Sequence, residues 1–371
     1  MRQKSWATWK LGGMAFCIAG FLVYLLYFTW EPASGRLQDF QVYYTAGQKA
    51  AQGKTVYDVQ GHWQFKYSPA IAQGFAATFS QLDLYTAKLF YFTFNALLWL
   101  IWIALVTDRL SADWKKHLTL AFLSILFFGK AILRDCELGQ ANSITLILSL
   151  LAFYFFSKRK SMNTLAGAFL LACAIQFKLY WFLAFPILVF KRHWNAMILT
   201  SVLLPLVSLG TVAMIHGWEF SWSEHLAWIN TLFHSSHHLL PSYYNISVIG
   251  IFSKWIDHPK LNLVLWAGCV VGFLLASFQR RHLSWRRQYA WVCLGIVLLN
   301  PLSWMYWIAF LIPLVCEVAL LYQERSIQQK TMIGVPAWLI WFGLDLNLIL
   351  SGTVTALNAF FAFLFLKRTR E

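Results

Sequence analysis

A carboxylate at the head of a short amphipathic stretch is the first place in this chain where chemistry can sit. Asp39 opens D-F-Q-V-Y-Y-T-A-G at residues 39–47. From Phe40 the apolar positions 40, 43, 44, 47 and 51 recur at helical spacing, while Gln41, Thr45, Gln48, Lys49 and Gln52 fill the opposite face. Gly53 suits the C-terminal stop. The pattern predicts a helix lying on the outer leaflet with its aromatics, Tyr43 among them, at headgroup depth. Asp39 then has two uses. It caps the free N–H groups of the first turn, or it serves as a general base for a lipid-borne substrate at the interface.

A second polar cluster is R-D-C-E-L-G-Q-A-N at 134–142. One reading is a turn and a helix start, with Gly139 as hinge and Asn142 as cap. The other is a sugar-binding pair, Gln140 and Asn142, at the mouth of an apolar run. Lys178 stands between two apolar runs. It either snorkels to the membrane surface or meets an anionic phosphate there. Lys66, Arg36 and Arg134 are further cations expected on the same side.

Other chemistry is weaker in this chain. His216, His225, His234, His237, His238 and His258 gather in one segment, without the fixed helical spacing of a metal motif. Asn245-Ile246-Ser247 matches the glycosylation triplet, which is frequent by chance. Glu317 lies deepest in an apolar run, near its inner end, where an ion pair is expected. The six cysteines form no disulfide or zinc pattern. No metal is indicated; Asp39 with Asp135 or Glu137 holds Mg²⁺ or Mn²⁺ only if their two loops meet.

The elements that must position these groups are apolar. Of 371 residues 59% are hydrophobic and 12% charged, with 20 Trp, 32 Phe and 15 Tyr. A soluble domain carries roughly 25% charged residues. Repeated apolar runs between short polar loops predict an all-α polytopic membrane protein, one integral domain over 1–371. Counting each run as a crossing, from 11–30 through 84–107, 118–133, 143–157, 163–177, 179–190, 195–215, 260–278, 288–300, 305–322 and 331–345 to 349–366, predicts about twelve spans with both termini inside. The run 67–81 is too short to cross and is expected to be interfacial or re-entrant. Residues 31–69 form the first outer loop and 216–259 a long outer segment. The net charge of +15 fits this arrangement better than nucleic-acid binding, because about two-thirds of the 30 Lys and Arg fall in inner loops.

These pieces, in this order, resemble glycosyltransferase family 87 of the multi-spanning GT-C superfamily. The carrying residues are 39–47, Val56-Tyr57, F-K-Y-S-P at 65–69, L-G-Q-A-N-S-I at 138–144, F-K-L-Y-W at 177–181 ahead of Lys191-Arg192, N-I-S-V-I-G at 245–250, and N-P-L-S-W at 300–304 running to Pro313. The resemblance implies a GT-C-like bundle and an inverting transfer of a hexose, often mannose, from a polyprenyl-phosphate sugar. The acceptor is expected to be a lipid or envelope glycan on the outer face of a bacterial cytoplasmic membrane. Asp39 matches the family's first-loop Asp, taken as the base. Lys178, with Arg134 and Lys66, suits the donor phosphate. Tyr43, Gln140, Asn142, Asn245, Trp304 and Tyr306 are the expected sugar and acceptor contacts. Tyr306 and Trp307 occupy the place where the family often has a His pair, and Asn300 replaces the usual Ser. Two rival readings stand beside this one, a flippase for lipid-linked sugars and a non-catalytic subunit of an envelope-assembly complex.

Overall fold

The computed structural model describes residues 36–57, 63–108, 114–234, 239–242 and 244–323. Among them the regular elements are helical, and the one β-type pairing is an isolated antiparallel bridge between Asn245 and Trp304.

The first helix, α1 (Gln38–Ala51), follows Leu37, whose backbone is left-handed at φ 60° and whose N–H donates to the Glu137 carbonyl at 2.8 Å. Beyond Gln52 the chain reverses at Gly53, φ +63°. There Gly53 N–H meets the Ala50 carbonyl at 3.1 Å and Lys54 N–H the Lys49 carbonyl at 3.0 Å. These two bonds satisfy carbonyls the helix leaves free, at a position glycine adopts without strain.

The apolar face of α1 is buried in protein. Phe40, Tyr43, Tyr44, Ala46, Gly47 and Ala50 are all covered. Phe40 stacks on Tyr91 at 4.4 Å and meets Phe79 edge-on at 5.8 Å. The expectation of a leaflet-bound helix is therefore corrected. Helical periodicity marks the covered face, but the cover is α2 (Pro69–Ala76), the 3-10 turn Phe79–Gln81 and α3 (Leu84–Asp108). Burying Phe40 alone contributes about 2–3 kcal/mol.

The remaining helices are α4 (Trp114–Leu138), α5 (Asn142–Ser157), α6 (Ser161–Phe177), α7 (Ala184–Phe190), α8 (Trp194–His216), α9 (Trp218–His234), α10 (Val248–Trp255), α11 (Pro259–Gln279), α12 (Trp285–Leu299) and α13 (Ile312–Gln323). α3 packs on α4 and α5, α5 on α6, and α6 on α8. α8 in turn packs on α9 and α2, and α12 on α13. Buried apolar residues from Leu37 to Cys316 form one cluster. Its aromatic polar atoms are satisfied across helices: Trp102 Nε1 donates to Tyr289 Oη at 2.9 Å, and Tyr289 Oη donates to the Leu146 carbonyl at 2.9 Å.

The number of crossings departs from expectation. Among the described residues three helices are long and apolar enough to span a membrane: Leu84–Asp108, Trp194–His216 and Pro259–Gln279. A fourth counts if His117–Ile125 and Phe127–Leu138, bent by 59° at their junction, form one span. The expected total of about twelve is contradicted. The runs expected to cross at 143–157 and 163–177 are helices of 16 and 17 residues. At 1.5 Å per residue they reach about 24–26 Å, short of a ~30 Å hydrocarbon core. Those expected at 179–190 and 305–322 open as 3-10 turns, Leu179–Leu183 and Met305–Leu311. The expected spans at 11–30, 331–345 and 349–366 lie outside the described residues.

Glu317 behaves as its sequence position suggests. Its carboxylate takes Arg286 Nε at 2.6 Å and Arg287 Nε at 3.3 Å, so the buried acid is neutralised by two half-exposed cations.

Candidate functional site

Two segments far apart in sequence meet at Asp39. α1 starts beside the turn between α4 and α5, pinned there by the bond from Leu37 N–H to Glu137. Asp39 sits in the first turn of α1 and does not cap it; no side chain caps that helix. Its Oδ2 instead accepts from Gln140 Nε2. The other end of the same amide, Gln140 Oε1, accepts from Lys178 Nζ at 3.1 Å. Gln140 thus joins a carboxylate to an ammonium, and its orientation is set by both, since only its nitrogen donates and only its oxygen accepts.

The turn that holds Gln140 is itself held from below. Tyr91 Oη and Asn95 Nδ2, both on α3, donate to the Gln140 carbonyl at 3.2 and 3.0 Å. Ser143 Oγ donates to Asn95 Oδ1. Asp135 is fully buried, and Asn142 Nδ2 reaches its Oδ1 at 2.5 Å while Trp99 Nε1 reaches its Oδ2 at 3.0 Å. Asn142 Oδ1 accepts from Tyr180 Oη at 3.2 Å. Asn142 is therefore neither helix cap nor exposed sugar contact: Ala141 occupies the cap position and Asn142 is completely covered.

Gly139 makes the turn possible. It stands at φ +73°, and a Cβ there would lie 2.7 Å from Phe40 Cβ and 2.9 Å from Leu37 Cδ2. Gly139→Ala is expected to lower stability by about 2–4 kcal/mol, from left-handed strain plus overpacking. A fall in the melting temperature of the purified protein checks it.

Lys178 turns inward. It follows α6 at the entrance to the turn Leu179–Leu183, with its Nζ 4.9 Å from the Tyr67 ring centre and 5.6 Å from that of Trp307. Two aromatic faces and one amide oxygen thus surround the ammonium. Tyr67 and Tyr43 share a 2.5 Å hydroxyl–hydroxyl bond, and Tyr57 Oη donates to the Tyr67 carbonyl at 2.6 Å. Tyr43, an expected sugar contact, is 2% exposed and lies behind Tyr67.

The electrostatics follow from burial among cations. Burial raises the Asp39 pKa above the ordinary value, while the Gln140 bond and the charges of Lys178, Lys66 and Arg134 pull it back in part. Burial lowers the pKa of Lys66, as does neighbouring Lys178, against the opposing pull of Asp39. Arg134 is exposed and paired to Glu137 at 3.1 Å. The three expected phosphate-binding cations therefore all act on Asp39, Lys178 from within the site and Arg134 from its rim. Tyr306 is half-buried and also feels the charge of Asp39.

Other expected contacts fall elsewhere. Asn245 is completely buried. Its Nδ2 donates to the Leu240 and Pro301 carbonyls at 3.0 and 2.8 Å, and its Oδ1 accepts from Ser247 N–H and Ser303 N–H, both at 3.1 Å. Asn245 joins two loops, and its side chain is not presented for glycosylation. Trp304, half-buried, pairs through its backbone with Asn245. His225 bonds Ser208, His258 caps α11 through Leu261 N–H, and His216 packs on Phe220. His237 and His238 lie outside the described residues. Among the described residues no three or more His, Cys, Asp or Glu side chains are grouped to hold a metal. Asp39 and the 134–142 turn do meet, but Asp135 is spent on Asn142 and Trp99, and Glu137 on Arg134.

Sequence reasoning passed over Tyr67, Asn95 and Trp99, and marked Trp307 only as standing where the family often has a His. Asn95 carried a signal, a lone amide within an otherwise apolar run. Tyr67 lay inside F-K-Y-S-P without being singled out.

The site thus brings together a carboxylate, an amide and a lysine ammonium set between two aromatic rings. Residues 65–292 match glycosyltransferase family 87. The chain belongs to that family, a GT-C-like group dependent on polyprenyl-phosphate sugars. No curated protein and no solved structure matches it.

Proposed function

We propose that the chain transfers a hexose, mannose-like, from a polyprenyl-phosphate sugar to a lipid or envelope-glycan acceptor, with inversion, on the outer face of the cytoplasmic membrane. The observation that carries this reading is the Asp39–Gln140–Lys178 chain. Asp39 takes the acceptor hydroxyl proton, the acceptor oxygen bonds to the anomeric carbon, and the bond from that carbon to the phosphate oxygen breaks. The polyprenyl phosphate leaves with the bonding electron pair, so no acid need protonate it. Lys178, with Lys66 near Asp39, offsets the charge on the departing phosphate. The raised pKa of Asp39 makes it a stronger base than an exposed carboxylate. Residues 31–69 and 216–259 lie outside in this reading, with the basic loops inside.

The test uses membranes holding the full chain, a panel of radiolabelled polyprenyl-phosphate sugars and extracted envelope lipids. Label appearing in a new glycosidic product supports transfer. Label crossing sealed vesicles without a new bond supports the flippase reading instead. Label moved only when a second glycosyltransferase co-purifies supports the subunit reading.

A further inference from the structure

The residues that flank and carry Lys66 and Tyr67 are held from behind, at Val56 and Lys66 by one helix, α9. Val56 N–H donates to Glu224 Oε2 at 3.1 Å. Trp228 Nε1 donates to the Lys66 carbonyl at 3.1 Å. Ser68 Oγ lies 2.6 Å from Ser208 Oγ, which lies 2.6 Å from His225 Nε2, and His225 Nδ1 lies 2.7 Å from the Ser221 carbonyl. That last contact needs a proton on Nδ1, so in the neutral ring Nε2 accepts from Ser208. Glu224, His225 and Trp228 all belong to α9, on the face that also buries Ser221 and Thr231. Ser68, the last residue before α2, also donates its backbone N–H to the Gln176 carbonyl at 3.2 Å.

Two side chains on one helix face, Glu224 and Trp228, bond Val56 and Lys66 directly, and a third, His225, reaches Ser68 through Ser208 of α8. Each is buried or half-buried: Glu224 is 4% exposed, His225 7%, Ser68 and Ser208 at most 4%. Glu224 holds the backbone of Val56 and Trp228 that of Lys66, the residue that stands beside Asp39 and precedes the Tyr67 ring under Lys178.

We propose that α9 is a clasp and that Trp228 and Glu224 are positioning residues, acting on the donor through the Lys66–Tyr67 segment without touching the reacting atoms. The inference rests on the donor-phosphate role given above to Lys66 and Lys178. It assigns a role to the helix between residues 218 and 234, none of whose side chains enters the mechanism.

The test takes the full chain in membranes or nanodiscs, with Trp228→Phe, Glu224→Leu and Glu224→Gln. Phe keeps an aromatic ring but cannot donate; Gln keeps an acceptor for Val56 N–H. Hydrogen exchange is followed at 54–68, and donor KM and kcat are measured with the labelled polyprenyl-phosphate sugar. Trp228→Phe and Glu224→Leu are expected to speed exchange in 54–68 about tenfold while leaving α3 and α5 unchanged. They are expected to lower kcat/KM for the donor about five- to tenfold. Glu224→Gln is expected to restore both exchange and kcat/KM. Unchanged exchange at 54–68, faster exchange with kcat/KM unchanged, or equal loss in the Gln and Leu variants overturns the clasp. The exchange readout does not need turnover. Wild type that transfers no label counts against the glycosyltransferase reading, while exchange still decides the clasp.

Discussion

Asp39→Asn abolishes transfer and leaves the fold in place. The expected loss in kcat is on the order of 10²- to 10⁴-fold, the range general-base catalysis supplies. Asn is isosteric with Asp, and its side-chain oxygen still accepts from Gln140 Nε2, so the bond that positions residue 39 survives. Leu37 N–H still binds Glu137 and Phe40 still stacks on Tyr91, so the melting temperature should stay within a few degrees of wild type. What disappears is the ability to take a proton. The pH dependence separates this from a change in binding. Wild-type activity depends on ionised Asp39, whose pKa is raised by burial. Activity therefore rises with pH through a value above the ordinary carboxylate range and is lost as pH falls through it. The Asn variant retains no such limb in whatever residual rate it shows. Transfer of labelled sugar by Asp39→Asn within threefold of wild type would exclude Asp39 as the base.

How far these groups were visible beforehand depends on distance along the chain. The α1 pattern was legible because residues 40, 43, 44, 47 and 51 share a face that any covering element would bury, and Gly53 marked the end. What covers that face was not legible, since a bilayer and a set of aromatic helices ask for the same side chains. Gln140 and Lys178 could be picked out singly as polar groups beside apolar runs. Their link to Asp39 depends on contacts between residues 101 and 38 positions apart, which local pattern does not carry. Asn142 and Asn245 look like ligand-binding amides from sequence, because an amide that ties two loops together has the same composition as one that ties a sugar. The count of crossings failed for a geometric reason. Hydropathy marks apolar residues equally in a straight helix of 25 residues, such as Leu84–Asp108, and in a run opened by a 3-10 turn, such as Leu179–Phe190.

Lys178→Met tests the other end of the same chain. Met has a similar unbranched stem and a soft sulfur that packs well on aromatic rings. It is expected to rest between Tyr67 and Trp307 where the ammonium now lies, so the cage stays filled and the protein stays folded. Two things are lost together. The departing phosphate loses a cation placed beside it, which lowers kcat on the order of 10²- to 10³-fold if that charge acts mainly in the transition state. Gln140 Oε1 loses its donor, so the amide is then held by its bond to Asp39 alone. Because Lys178 is among the charges that hold the Asp39 pKa down, its removal also moves the acid limb of the pH profile to higher pH. Lys178→Arg keeps the charge but not its shape: the planar guanidinium donates through a fork, where the present site gives one oxygen between two ring faces. It should recover the pH limb more fully than the rate. Measurement of kcat against pH for the three proteins decides the matter. A Met variant with the wild-type limb and a lowered rate would mean that Lys178 serves the phosphate alone. A shifted limb with a lowered rate is the expected outcome, and it shows that Lys178 acts both on the departing phosphate and on the charge of Asp39.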